Sequence, residues 1–100
     1  MTTRIIVQPE AEADVSEAFR WYESRRSGLG AEFIAEVDQT FARIAENPRL
    51  TRPRYRGSRR VYLRRFPYAV LYVLIDDNVH VLGVLYERSS PQRFRSRLRP

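Results

Sequence analysis

Arginine and tyrosine side chains supply most of the chemistry that this sequence offers. All 18 basic residues are arginine, and residues 49–65 contain eight of them without an acidic residue. The guanidinium group is a planar fork of donors that fits phosphate and carboxylate groups and stacks on aromatic rings. Because tyrosines are interleaved with these arginines, the segment predicts a surface for single-stranded RNA or for a nucleic-acid-bearing machine. The alternatives are a surface for an acidic protein segment and a solvated rim that binds nothing.

Proton transfer has few candidate side chains. His80 is the only histidine; it follows the turn residues Asp76 and Asp77 and is expected on the solvent side of a strand. A metal-free ribonuclease would therefore need arginines to stabilise charge on a phosphate and a tyrosine to carry the proton. The alternative for each tyrosine is a half-buried structural role. The candidates are Tyr62, Tyr72 and Tyr86.

No pattern in the sequence indicates a metal, a cofactor or a membrane span. There is no cysteine, histidine cluster, glycine-rich phosphate loop or nucleophile elbow. An apolar run of about 18 residues, which a membrane helix needs, is also missing, and the first ten residues do not form a leader. We therefore expect a cytoplasmic protein with no metal, no cofactor and no membrane association.

Charge divides the chain into two halves of opposite sign. Residues 1–48 hold five arginines and nine acidic residues, which gives a net charge of −4. Residues 49–100 hold thirteen arginines and three acidic residues, which gives +10 and leaves the whole chain at +6. This distribution predicts a dipolar molecule whose second half attracts an anion, either nucleic acid or an acidic protein.

Hydrophobic periodicity predicts two helices and four strands in a single domain over residues 1–100. Val15, Ala18 and Tyr22 recur with helical spacing after Pro9, and Gly28 suits the left-handed end of that helix. Residues 92–100 are expected to be a frayed tail or a short final helix. The predicted elements are a strand over Arg4–Val7, a helix from Pro9, a helix over Ala31–Glu46, and strands over Arg59–Phe66, Tyr68–Ile75 and Val79–Tyr86.

The element order β-α-α-β-β-β predicts an α+β fold, with a helix hairpin packed on one face of a small, mostly antiparallel sheet. Alternation along the second strand gives its open face a stripe of Arg60, Tyr62 and Arg64. Tyr68 and Tyr72 share one face of the third strand. The open side of the sheet is therefore expected to be a concave tyrosine surface rimmed by arginines.

Short motifs spread along the chain carry a family resemblance. They are Trp21-Tyr22-Glu23, Gly28-Leu29-Gly30, Asn47-Pro48 and Leu63-Arg64-Arg65-Phe66-Pro67-Tyr68. Over nearly its whole length the chain resembles the RelE/ParE superfamily of toxins from bacterial type II toxin–antitoxin modules. The resemblance implies the same β-α-α-β-β-β fold that the periodicity predicts.

The resemblance also implies a partner. A cognate antitoxin is expected to wrap its C-terminal segment around the toxin and neutralise it, and the toxin is expected to meet operator DNA only through that antitoxin. The aromatic pair on the first helix is then either core or part of the docking surface. The residues expected to contact the antitoxin are Trp21, Tyr22, Arg59, Arg65 and Phe66.

The superfamily divides by mechanism, and the chain departs from its nuclease branch at two positions. RelE-like toxins cut mRNA in the ribosomal A site, using basic residues and a tyrosine near the C-terminus, whereas ParE-like toxins poison DNA gyrase. Here Gln92 or Phe94 stands at that tyrosine position, and Tyr86 stands where many relatives carry histidine. The resemblance therefore favours a ParE-like growth inhibitor that acts on gyrase.

Two alternatives remain open at the level of sequence. In a ribosome-dependent endoribonuclease, arginines would surround the scissile phosphate and Tyr86 or Tyr62 would carry the proton. In a non-toxic or degenerate relative, the basic surface would only bind nucleic acid. The arginines of the nuclease alternative are Arg60, Arg64, Arg65 and Arg88.

Overall fold

The computed structural model describes residues 3–98, and within that range the predicted β-α-α-β-β-β order is confirmed. The C-terminal segment forms a short helix that ends at Ser96, as one of its two predicted forms required. Arg99 and Pro100 lie outside the described residues. The elements are β1 (Ile5–Val7), α1 (Pro9–Arg25), α2 (Leu29–Glu46), β2 (Arg59–Tyr62), β3 (Tyr68–Ile75), β4 (Asn78–Tyr86) and α3 (Pro91–Ser96), with a 3-10 turn at Tyr55–Gly57.

The strands form one mixed sheet in the order β1-β4-β3-β2. β1 runs parallel to β4, whereas the β2–β3 and β3–β4 pairs are antiparallel. β1 is only three residues long, so β4 has no strand partner on its outer edge beyond Val81. In the same part of β4, a bulge shifts the β3–β4 register between Leu71 and Tyr72.

The helix hairpin begins and turns at residues with limited conformational choice. Pro9 occupies the first turn of α1, where its missing N–H costs no hydrogen bond. Gly28 has a φ of 90° and is the N-cap of α2, so the predicted left-handed conformation is present, two residues after the C-cap of α1. Gly30 lies against Phe19: an added Cβ would be 2.7 Å from its ring. The two helices are therefore in contact close to their connection.

Apolar side chains cover both faces of the sheet. The helix face, which packs against α1 and α2, carries the larger cluster, including Phe33, Val70 and Tyr72. The second face carries Ala69, Leu71 and Leu85, which are covered by Phe94 of α3. α3 therefore covers the face of the sheet that was predicted to be open.

The expected open tyrosine surface is wrong. Tyr68 and Tyr72 do share a face, but it is the helix face, and Tyr72 is completely buried. The Tyr72 hydroxyl donates to the Pro48 carbonyl oxygen at 2.7 Å, and burial raises the pKa of this phenol although Thr51 and Arg59 act in the opposite direction. An aromatic ring contributes a large apolar area, so a buried position with one acceptor for the hydroxyl is favourable.

The expected stripe of Arg60, Tyr62 and Arg64 is also wrong at its far end. β2 ends at Tyr62 instead of Phe66, because a turn follows in which the Leu63 N–H donates to the Tyr68 carbonyl oxygen at 2.9 Å. The backbone N–H groups of Arg64 and Arg65 then donate to the carboxylate of Glu36 on α2. Arg64 therefore lies beside the helices, and only Arg60 and Tyr62 remain on the second face.

Candidate functional site

A groove lined by aromatic rings runs between α1 and the paired ends of β3 and β4. Its volume is about 560 Å³. We call it the aromatic groove; its lining consists of Asp14, Glu17, Ala18, Trp21, Tyr22, Pro67, Tyr68, Val84, Tyr86 and Arg93. Clefts of this size with mostly apolar walls and a few polar groups are common binding sites.

Tyr22 is the centre of the aromatic packing. Its ring centroid lies 5.1 Å from that of Trp21, 4.9 Å from that of Phe66 and 5.3 Å from that of Phe33. Burial is the main cause that raises the pKa of Tyr22 and of Tyr68, so both phenols are neutral at physiological pH. Trp21 is 51% exposed despite these neighbours, so a large apolar ring is available at the surface.

Four of the five residues predicted to contact the antitoxin lie together. Trp21, Tyr22 and Phe66 form one aromatic series, and the guanidinium of Arg65 is 5.3 Å from the Phe66 ring centroid. Arg59 is separate from them. It stands opposite Tyr72 in the β2–β3 pair, and its side chain donates to the Thr51 carbonyl oxygen.

Acidic residues of α2 neutralise the arginines next to the aromatic groove. Arg65 Nη2 lies 2.8 Å from Glu32 Oε1, and Arg26 Nη2 lies 3.0 Å from Glu32 Oε2. The bond from Arg65 is the main cause that lowers the pKa of Glu32, and the same bond raises the pKa of Arg65. Together with the Glu36 contacts to the backbone, these pairs fix the turn that precedes β3.

The structure separates the residues proposed for an endoribonuclease. Tyr86 lines the aromatic groove on the helix face, where its ring is 5.9 Å from that of Tyr68. Arg60 and Tyr62 stand opposite Leu71 and Ala69 on the second face. Arg64 and Arg65 lie beside α2, and Arg88 is exposed in the turn after β4. The arginines and the two tyrosines therefore do not surround a common point.

Histidine and metal chemistry have little support in the described part of the chain. His80 is partly buried on β4, and its Nδ1 lies 3.4 Å from the Gln8 amide nitrogen, so its contact is with Gln8 rather than with the turn acids. Residues 3–98 contain no group of three or more histidine, cysteine or acidic residues that could hold a metal ion. In the same range no helix is both long and apolar enough to cross a membrane.

A buried ion pair between α1 and the C-terminal segment was not predicted. Arg97 Nη1 lies 2.7 Å from Asp14 Oδ2, and both side chains are largely buried. The Arg97 side chain also donates to the Leu82 carbonyl oxygen, and Asp14 accepts from the Val84 N–H. Arg97 belongs to the basic second half of the chain, but it is paired with an acidic residue of the first half. The one local signal is Gly83 inside a strand, since such a glycine marks a bulge or a close approach.

Comparison with known proteins identifies the family. The family model described as the ParE toxin of the type II toxin–antitoxin system, parDE, matches residues 5–91. The chain belongs to the ParE toxin family. The predicted membership of the RelE/ParE superfamily and the preference for its ParE branch are both confirmed.

Individual ParE relatives agree with this assignment. Toxin ParE2 of Mycobacterium tuberculosis, from strain CDC 1551/Oshkosh and from strain ATCC 25618/H37Rv, is 30% identical over 92 residues. These residues span 91% of this chain and 88% of the relative. A chain from the chromosomal ParDE TA system of P. aeruginosa shares the fold, with a TM-score of 0.73 at 13% identity over 82% of this chain and 92% of that chain.

ParE membership defines the biological context of the aromatic groove. The chain is the toxin component of a type II toxin–antitoxin system, and its partner is a cognate antitoxin. A ParE toxin must therefore present at least one surface to that antitoxin. The aromatic groove is a concave surface with a half-exposed tryptophan at its edge.

Proposed function

We propose that this ParE-family toxin inhibits growth by binding DNA gyrase in the cytoplasm and that it performs no hydrolysis itself. The observation that carries the proposal is the separation of the endoribonuclease candidates: Tyr86 is on the helix face, whereas Arg60 and Tyr62 are on the second face. General acid–base catalysis requires a proton carrier within hydrogen-bond reach of the reacting group. Inhibition through a protein target needs no such arrangement.

A supercoiling assay with purified toxin and purified gyrase tests this proposal. We expect toxin in excess to block supercoiling or to trap cleaved DNA, and we expect added antitoxin to restore activity. A type I topoisomerase assayed at the same toxin concentration is the control. Unaffected supercoiling at excess toxin would refute the gyrase target, and codon-phased cuts in translated messages would favour the endoribonuclease instead.

We also propose that the aromatic groove binds apolar anchors of the antitoxin. Trp21 supports this because half of a large rigid ring is exposed beside a concave wall, and tryptophan is enriched among the residues that dominate binding energy. Arg65 stands at the same end of the molecule, but it is already paired with Glu32. Most of the affinity should come from the rings, since exposed ion pairs contribute little.

Trp21→Ala is the decisive substitution for this docking site. We expect antitoxin affinity to fall about 30-fold or more, since central aromatic residues typically contribute about 2 kcal/mol or more at interfaces. Tyr55→Ala is the matched control, because Tyr55 is also half exposed, at 49%, but lies in the loop before β2. Equal loss for both variants, measured by titration calorimetry, would place the antitoxin elsewhere.

A further inference from the structure

A second cavity, lined by arginines, lies at the end of α2 and along the edge strand β2. Its volume is about 520 Å³, and no acidic residue lines it. We call it the arginine cavity; its lining consists of Arg43, Leu50, Thr51, Arg52, Arg54, Arg60, Val61 and Tyr62. It shares no lining residue with the aromatic groove, so the two cavities are separate.

The four arginines of this cavity are clustered, and none of them forms an ion pair with an acidic residue of the described range. Within residues 3–98, ion pairs are formed by Arg26, Arg49, Arg65 and Arg97 but by none of the four arginines that line the cavity. Among the described residues, the buried Nε atoms of Arg43 and Arg60 have no hydrogen-bond acceptor. Clustered positive charge and unsatisfied buried donors are both unfavourable in the free protein, and an anionic ligand would relieve the charge repulsion.

Aromatic rings complete the chemistry of the arginine cavity. Tyr62 is 40% exposed, and no ring or guanidinium stacks on it among the described residues. A neighbouring cavity of about 290 Å³ shares Arg54 and Arg60 with the first and adds Tyr55. The two cavities therefore bring guanidinium groups close to two exposed rings, of which Tyr55 already lies near Arg56 and Arg95. Arg60 itself is held over the ring of Phe94 at 3.7 Å.

We propose that the arginine cavity binds a single-stranded polynucleotide, DNA or RNA, without cleaving it. The guanidinium groups would hold backbone phosphates, and an unstacked base would lie on Tyr62. Positively charged grooves with aromatic platforms bind single strands in this way, since every base has a stacking face. An acidic peptide would use the arginines but leave the ring unexplained, and in a duplex the bases are already stacked on one another. The proposal is independent of the gyrase target and of the antitoxin site.

Fluorescence anisotropy with the full chain, without gyrase or antitoxin, tests this proposal. The probe is a labelled mixed-sequence oligonucleotide of about 12 nucleotides, within the site sizes known for small single-strand-binding domains. It is supplied as DNA and as RNA, and the competitors are its unlabelled duplex and polyglutamate. We expect single strands to bind most tightly, and log K to fall with log salt by about 0.7 for each phosphate contacted. The ratio of the DNA and RNA affinities distinguishes the two sources of ligand.

Two variants of the cavity and one control separate a built site from general charge attraction. Arg52→Gln combined with Arg54→Gln removes two exposed loop charges and should weaken binding about tenfold or more, with a smaller salt slope. Tyr62→Ala should weaken it about tenfold through lost stacking. The control, Arg4→Gln combined with Arg20→Gln, removes the same charge elsewhere and should change affinity less than about threefold because distant charges are screened.

Three results would overturn the proposal. Polyglutamate that displaces the oligonucleotide at a lower concentration than the unlabelled single strand would assign the cavity to an acidic protein segment. A duplex that binds as tightly as the single strand would show that only backbone charge is recognised. Equal losses in the control and in the arginine-cavity variants, each checked for an unchanged circular dichroism spectrum, would show that the cavity is not a specific site.

Discussion

Arg97 and Arg60 are both partly buried arginines of the basic half of the chain, but their surroundings differ. Arg97 makes two bonds to the Asp14 carboxylate, at 2.7 and 2.9 Å, and its side chain is only 13% exposed. Arg60 stacks on Phe94 and has an unpaired Nε atom. Arg97 is therefore neutralised within the fold, whereas Arg60 has no acidic partner among the described residues.

The Arg97–Asp14 pair also replaces a missing strand. Because β1 ends at Val7, the outer backbone groups of β4 beyond Val81 have no strand partner. Arg97 donates to the Leu82 carbonyl oxygen at 3.1 Å, and Asp14 accepts from the Val84 N–H at 3.0 Å. Buried backbone groups need such partners. The hydrogen bonds to Asp14 raise the pKa of Arg97, so its guanidinium group stays charged over the physiological range.

Asp14→Ala should have the largest effect on stability, and it tests whether the Arg97–Asp14 pair stabilises the fold. The substitution leaves the largely buried Arg97 with only its longer contact to Glu10, 3.6 Å from its Nε, and it leaves the Val84 N–H without an acceptor. We therefore expect a loss of about 3 kcal/mol. Urea denaturation measures it. Asp14→Ala combined with Arg97→Ala should cost less than the sum of the two single substitutions, because the residues interact directly. A loss below about 1 kcal/mol for Asp14→Ala would contradict this role.

Gly83→Ala should have the next largest effect. An added Cβ would be 2.8 Å from Arg97 Nη1 and 3.3 Å from Asp14 Oδ2. Arg97 cannot move away without giving up its bonds to Asp14, so we expect a loss of about 1–3 kcal/mol, as for other overpacked sites. In an Arg97→Ala background the loss of stability caused by Gly83→Ala should become small. Urea denaturation with and without Gly83→Ala, in the natural chain and in the Arg97→Ala variant, measures the two losses. An undiminished penalty in that background would assign the cost to the backbone instead.

Glu36→Ala tests whether the turn after β2 depends on α2. The backbone N–H groups of Arg64 and Arg65 would lose their carboxylate acceptor, and the expected cost is about 1 kcal/mol. Asp38→Ala is the control, since Asp38 is exposed on the same helix and should change stability by less than about 0.5 kcal/mol. Equal results in thermal denaturation would show that the turn forms without Glu36.

Glu32→Gln should have the smallest effect on stability. The pH dependence of this effect tests whether the Glu32 ion pairs stabilise the fold. The Arg65 and Arg26 bonds hold the pKa of Glu32 below its ordinary value of 4.5. A lowered pKa in the folded state means that the pair stabilises the protein above pH 4.5 and that this contribution disappears as the pH falls through the lowered pKa. The difference in denaturation midpoint between the natural chain and the variant should therefore shrink in acid. A difference that stays constant with pH would contradict the assignment.

Local pattern was sufficient for most of the elements and for the family. The apolar run Tyr68–Ile75 predicts β3 at its observed bounds, and Asp76 and Asp77 adopt positive φ angles of 52° and 64° in the predicted turn. The helical periodicity gave both helices, with α2 starting two residues earlier than predicted. These features depend on neighbours within a few residues, so the sequence contains the information directly.

The predicted site was less complete, because its residues are brought together across the sheet. Trp21, Tyr22 and Phe66 were chosen by motif, and the structure places them in one aromatic series. The face occupied by Tyr68 and Tyr72 was not predictable, since alternation shows only that two side chains share a face. The structure places both tyrosines on the helix face, and Phe94 of α3 covers the other face.

The sequence alone determined the element order, the ParE resemblance and the accumulation of arginines in the second half of the chain. Only the tertiary structure decided which of those arginines are neutralised. Arg65 meets Glu32 across 33 residues, and Arg97 meets Asp14 across 83 residues, whereas Arg43 and Arg60 come together at a cavity without acids. Ion pairing depends on distances of a few ångströms between groups far apart in the chain. Composition fixes how many charges are present, but the packing of α1, α2 and α3 around the sheet fixes which of them have partners.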